Sequence, residues 1–486
     1  MKSDAAASGS GATDPGKDTG GLGVAHSATS GAPSSGAAGI GADPVAGQPD
    51  RWGERLPRKV GLFNAVAVLV GVTIGSGIFR VPATIAAQLH DPGPVILCWI
   101  LGGVIALFGA LTIAELAGAL PRSGGIFAYL FESFGPLPAF MFGWTELAVV
   151  RASALGATAT IFAEYLGYFV RMSPAQVRYI AAAAIVLIGV LNYIGVQRAA
   201  AVMTFATVAK YAAVMALGAL AFTVNTGGAS HFTPAWGSGL HLSLLATALI
   251  SVMWTYDGWA DLSFMGGEVK DPQRTLPLAL ILGTLFVMLV YLVVNFGFMY
   301  LLPLPQMAQS KLIAATAAAH IPLFGGFGAA LVAAVVMVST FSGLNGSMMT
   351  GPRIFFAMAD RGLFFRGVAR VSPRFRSPSV AIWLATALGV IYVLENDFAQ
   401  LADKFILGIW PFYALAVAGV YVLRRKRPDL ERPYRVIGYP VIPALFLLAS
   451  LGMVTNALVT DPINTGVTLG IIVAGAPIYY LWRRFV

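Results

Sequence analysis

Two short stretches hold residue types that an ordinary apolar helix avoids. The first reads Gly71-Val72-Thr73-Ile74-Gly75-Ser76-Gly77-Ile78-Phe79, with Gly-Ser-Gly inside an apolar run. The second reads Trp254-Thr255-Tyr256-Asp257-Gly258-Trp259-Ala260-Asp261, with one glycine and two carboxylates. Glycine has no Cβ to restrict its backbone, so it marks places where a helix can unwind. A half-helix starting near Ile78 would offer unpaired N–H groups and the positive end of its dipole, a seat for a carboxylate. Half-helices ending near Thr73 and Tyr256 would offer free carbonyls, which accept from an ammonium group. Together the two seats describe the zwitterion of an α-amino acid. Close packing of two Gly-rich helices would also place glycine at Gly75 and Gly77.

These stretches must be held by elements that lipid can cover. Of the 486 residues 57% are hydrophobic and 11% charged, against about 25% charged in a soluble chain. Mean hydropathy is +0.76. That excludes a soluble enzyme and a nucleic-acid partner, despite a net charge of +9. Residues 1–55 are Gly-, Ala- and Ser-rich without apolar periodicity, the composition of a disordered tail. Twelve apolar runs follow, near 61–88, 93–120, 133–170, 177–195, 200–224, 243–268, 275–302, 325–358, 379–394, 401–423, 440–459 and 463–482. With both termini cytoplasmic, 22 Lys and Arg fall inside and 4 outside, the bias expected of a multi-pass protein of the plasma membrane.

The two breaks also divide the chain evenly. Ser76 and Gly258 lie 182 residues apart, and each break opens a set of five runs. Five plus five, each set led by an interrupted helix, is the layout of an inverted-repeat secondary transporter. It predicts repeats over 58–225 and 240–425, with a peripheral pair of helices over 438–486.

An ionisable group at mid-membrane costs about 2.5–3.5 kcal/mol, so each needs a reason. Lys210 lies deep in the fifth run, either trading a proton with each cycle or bridging carbonyls of the first run as a fixed cation. Arg151 in the third run lines the cavity or braces it against Glu146 or Asp257. Arg80 and Glu115, nearer helix ends, are expected to pair locally, and Glu164 to lie at the interface. Ser342, Asn345 and Ser347 form a polar cluster in the eighth run. No GxxxxGK[ST] loop, HExxH pair or Gly-x-Ser-x-Gly elbow occurs, so neither cofactor nor metal is expected. Cys98, the single cysteine, forms no internal disulfide.

At these residues the sequence resembles the amino acid–polyamine–organocation superfamily of permeases, and within it the L-type amino acid transporter-like branch. The resemblance runs over residues 58–484. It is carried by Gly75-Ser76-Gly77-Ile78-Phe79 with Pro82, and by Ala114-Glu115-Leu116 with Pro121, Ser123-Gly124-Gly125 and Tyr129. Tyr256, Gly258, Trp259, Glu268, Asp271-Pro272, Arg274 and Leu276-Pro277 add to it, as do Pro352-Arg353, Phe355-Phe356, Ala357, Asp360 and Gly362. It implies an all-α polytopic membrane protein of the leucine-transporter-like fold, with twelve transmembrane helices, five-plus-five inverted repeats and broken helices 1 and 6.

The resemblance further implies alternating-access transport of amino acids. Thr73, Ile74, Gly75, Ser76, Gly77 and Ile78 would line the substrate site with Trp254, Thr255, Asp257 and Gly258. The amides of Ser76 and Gly77 would hold the carboxylate, and the carbonyls of Thr73 and Trp254 the amine. Trp254 would be the lid, with Arg151 and Lys210 in gating or coupling, Lys210 standing where some relatives bind sodium. Asp257 departs from the branch, which usually has glycine there, and Asp261 follows a helical turn later. That keeps a cationic or polyamine carrier open beside an amino acid permease, and an amino-acid sensor signalling through the tail as a third reading. Eukaryotic members bind a glycoprotein through a cysteine after the third span. Residues 171–176 have none, which argues against a disulfide-linked subunit. Exchange, proton symport and oligomeric state stay open.

Overall fold

The computed structural model describes residues 58, 60–121, 124–194, 214–224, 228–360, 362–370, 372, 374, 375 and 377–484. The predicted tail at 1–55 and Lys210 lie outside the described residues. The first apolar run is not one helix. It splits into α1 (Leu62–Thr73) and α2 (Val81–Gln88), joined by a short 3₁₀ turn at Gly77–Phe79. After α3 (Pro92–Ala119) and α4 (Gly125–Phe134), α5 (Pro136–Thr145) passes through a π-helical turn at Glu146–Arg151 into α6 (Ala152–Leu166). Then come α7 (Pro174–Ile194), α8 (Val214–Thr223) and α9 (Leu242–Tyr256). The sixth run is interrupted as well, because α9 stops at Tyr256 and only short 3₁₀ turns precede the next helix.

That next helix is α10 (Pro272–Leu301), followed by the short α11 (Leu304–Gln309) and α12 (Ile313–Ala318) and by α13 (Gly328–Asp360). The chain ends in α14 (Ser379–Glu395), α15 (Phe398–Lys426), α16 (Val441–Thr460) and α17 (Pro462–Arg483). Prolines open α3, α5, α7, α10 and α17, where a fixed φ suits the first turn and a missing N–H costs nothing. A capping box between Asp397 and Gln400 starts α15, and Arg424, Arg425 and Lys426 end it against the negative end of its dipole.

Among the described residues, eight helices are long and apolar enough to cross a membrane, and no strand forms beyond one bridge between Val60 and Val269. The helices pack in two groups. In one, α10 lies against α1 and α3, and α3 against α9. In the other, α6, α7, α13 and α14 pack on one another. Helix α15 touches both groups, while α16 and α17 sit at the rim with Leu448, Leu451, Val459 and Ile463 exposed.

One ion cluster ties the end of α15 to α3. Glu115 does not pair locally as its place near a helix end suggests. Both its oxygens accept from Arg424, 309 residues away, at 2.8 and 2.5 Å. Arg432 lies 3.4 Å from it, and the Val436 amide donates to it at 2.8 Å. Removing one partner of a buried pair strands the others at a cost of about 3–5 kcal/mol. Glu115→Ala should therefore lower the apparent unfolding temperature in detergent by several degrees, with Arg424→Ala in the same chain recovering part of the loss.

Candidate functional site

The two breaks meet each other. Helix α1 ends at Thr73, and the Gly75 amide turns back to the Thr73 carbonyl at 2.7 Å. Past that turn the amides of Ser76, Gly77 and Ile78 donate to nothing among the described residues, while those of Phe79 and Arg80 are spent on Ser76 and Gly77. Ser76, Gly77 and Ile78 are all buried. Three unspent donors in a row under low dielectric form a seat for an anion. Across from them α9 ends without a cap bond, and among the described residues no group outside the helix reaches the carbonyls of Met253, Trp254 or Tyr256.

Glycine is required at two points of this meeting. A Cβ on Gly77 would fall 2.8 Å from Thr255 Oγ1 and 3.0 Å from Thr255 Cα. A Cβ on Gly258 would fall 3.1 Å from the N, Cα and Oγ1 of Thr73, and its φ of +107° is one that side chains resist. Each break thus lays a threonine over the other's glycine. Gly75 has ordinary room, since a Cβ there would sit 3.7 Å from the Val72 carbonyl. Tyr291 of α10 joins the same two threonines, with its hydroxyl 2.8 Å from the Thr73 carbonyl and 2.9 Å from that of Thr255. Its ring packs against Trp99 and Tyr256.

The Thr73 carbonyl is thus already engaged, by the Gly75 amide and by the Tyr291 hydroxyl, whose one proton is shared between it and the Thr255 carbonyl. Among the described residues Thr255 keeps a buried hydroxyl with no partner, and Trp254 a buried indole N–H with none. The Trp254 ring stands edge-on to Phe405 at 4.8 Å and to Phe398 at 6.3 Å.

Charges surround the second break. The Tyr413 hydroxyl donates to Asp257 at 3.0 Å. Asp261 makes no hydrogen bond or ion pair through its carboxylate among the described residues. Asp257 lies within electrostatic reach of Asp261 and Glu146, and Asp261 within reach of Glu146 and Arg151. Arg151 pairs with Glu146 at 3.1 Å and donates to Ser347 Oγ at 2.9 Å, not to Asp257. Gly351 of α13 makes the slot for it, because a Cβ there would overlap the arginine side chain. The polar cluster of the eighth run is split, since Asn345 faces Asn192 of α7 at 2.7 Å. Arg80 pairs with Glu164 at 2.9 Å across 84 residues, which corrects the local pairing expected of Arg80.

The breaks and their flanking residues are visible in glycine and charge placement. Tyr291, Tyr413, Phe398 and Phe405 are not. Sixteen tyrosines and thirty phenylalanines sit in this chain, and no local pattern separates these from the rest.

Comparison with known proteins matches this architecture. Residues 60–481 fit the family model described as amino acid permease. The serine/threonine exchanger SteT of Bacillus subtilis is 31% identical over 88% of this chain and 98% of its own. The human cystine/glutamate transporter is 31% identical over 88% of this chain and 86% of its own, and the human b(0,+)-type amino acid transporter 1 is 31% identical over 84% of each. These relatives are named as transporters and exchangers, not enzymes. The chain therefore belongs to the amino acid permease family, as an integral, multi-pass membrane protein.

Proposed function

We propose that this protein is a secondary amino acid transporter working by alternating access, with the substrate held where the first and sixth spans unwind. The reading takes twelve spans in two inverted five-helix repeats, over 58–225 and 240–425, with α16 and α17 peripheral and both termini on the cytoplasmic side of the plasma membrane. The observation that carries it is the meeting of the breaks, with three unspent amides on one and unspent carbonyls on the other. The α-carboxylate would sit on Ser76, Gly77 and Ile78, with Ile74 and Gly75 forming the turn beneath. The ammonium would take the Trp254 carbonyl, and the Thr255 hydroxyl lies beside Gly77 to complete the polar lining. Trp254 would close over the bound zwitterion. The reading needs no cofactor, metal or second subunit, and Lys210 enters it as the group that would set proton coupling.

A cationic substrate has one observation in its favour. Asp257 and Asp261 lie within electrostatic reach of each other and of Glu146, and among the described residues Arg151 is the cation that acts on Asp261 and Glu146. Uptake into proteoliposomes tests both readings, using labelled neutral, anionic and cationic amino acids and putrescine, in empty and amino-acid-loaded vesicles, with and without an inward proton gradient. Saturable amino acid uptake is the expected result. Uptake only into loaded vesicles identifies an exchanger, and gradient-driven uptake into empty ones a symporter. Transport of putrescine alone favours the cation carrier, and no uptake under any condition overturns both.

A further inference from the structure

Two polar ties join the start of α2 to the end of α6 among the described residues. Arg80 Nε donates to Glu164 Oε2 at 2.9 Å, and the Tyr165 hydroxyl donates to the Phe79 carbonyl at 2.8 Å. Both charged side chains are mostly buried, with 15% and 11% of their surface exposed. The two ends belong to different packing groups. Helix α2 continues the broken first span and lies on α9, whereas α6 packs with α7, α13 and α14. The Arg80 guanidinium also lies 5.3 Å over the ring of Phe398 at the start of α15. Phe398 in turn meets Trp254 edge-on. A chain of contacts therefore runs from an inter-group ion pair to the aromatic residue above the breaks.

We propose that the Arg80–Glu164 ion pair is the latch of the outer gate, a positioning pair that holds Phe398 and Trp254 over the site and parts when that side opens. The proposal rests on the alternating-access reading above. Relative motion of two packed groups opens one face by separating the contacts that bridge them there. This pair is such a contact, and it lies beyond the break on the side away from α1, the outer side when the N-terminus is cytoplasmic. An ion pair held out of water favours the closed arrangement only while both charges are present. Neutralising either one shifts the population toward the outward-open state.

The test uses the full chain with Cys98→Ala and a reporter, Ser76→Cys, labelled by a membrane-impermeant maleimide. Labelling is read per molecule in intact cells for the outer face and in inside-out vesicles for the inner face. Adding Glu164→Gln should raise outer labelling by about threefold or more and lower inner labelling, because one population is converted into the other. Arg80→Gln should do the same, and it carries the test if Glu164→Gln fails to reach the membrane. Unchanged rates, rates rising on both faces as in general loosening, or a shift of opposite sign would each overturn the latch. Protection of Ser76→Cys by amino acids in the parent is scored separately. Its absence would count against the substrate site while the face-to-face shift still decides the latch.

Discussion

Gly258→Ala should reduce amino acid uptake about a hundredfold or more at unchanged membrane abundance, the scale on which a displacement near 1 Å at a working site acts. Two effects combine at this position. The backbone stands at φ +107°, a conformation that glycine adopts freely and alanine resists by about 1–2 kcal/mol. The added Cβ would also press on the N, Cα and Oγ1 of Thr73 at 3.1 Å. Two of those atoms are backbone, so relief requires the first span to move away from the sixth. That displaces the three free amides relative to the α9 carbonyls, which disrupts the proposed site made of both. Uptake in proteoliposomes, normalised to inserted protein, checks this. Retention of more than half the parent rate would show that the meeting of the breaks is packing without a role in transport.

Tyr291→Phe should slow transport about tenfold while leaving the fold intact. The ring that packs on Trp99 and Tyr256 is kept, so the hydrophobic contacts survive. What is lost is the hydroxyl within 2.9 Å of the Thr73 and Thr255 carbonyls. Buried acceptors left without their donor cost about 1–3 kcal/mol, and about 1.4 kcal/mol is a factor of ten. The loss falls on the arrangement in which the breaks are joined and not on the helices that carry them. Transport rate and apparent unfolding temperature, measured on the same preparation, separate the two. A large fall in both would make Tyr291 a folding residue, and an unchanged rate would remove it from the mechanism.

What could be read in the sequence was local. Glycine next to polar groups inside an apolar run places the ends of α1 and α9, because unwinding depends on backbone freedom within a few residues. The length and apolarity of α3, α10 and α15 follow from composition for the same reason. Relations between distant segments could not be read. Glu115 finds Arg424 and Arg432 because α15 and the loop after it fold back on α3, and nothing near Glu115 announces that. Arg80 and Glu164 were each visible as charges, but their pairing exists only once two helix groups are assembled. The Thr73 carbonyl shows the limit most directly. Helix termination correctly exposes it, yet a tyrosine 218 residues away occupies it.

The crossed threonine–glycine contacts also govern how damage at the breaks could be repaired. At Gly77, two of the three atoms that a new Cβ would strike belong to the Thr255 side chain, so a second substitution that shrinks Thr255 restores part of the space. At Gly258 the obstruction is mainly the Thr73 main chain, and the disfavoured φ remains whatever stands at 73. Suppressor mutations therefore have a route back from one lesion and almost none from the other. Two positions that look equivalent, one glycine in each half, differ in whether evolution can retrace a step taken there.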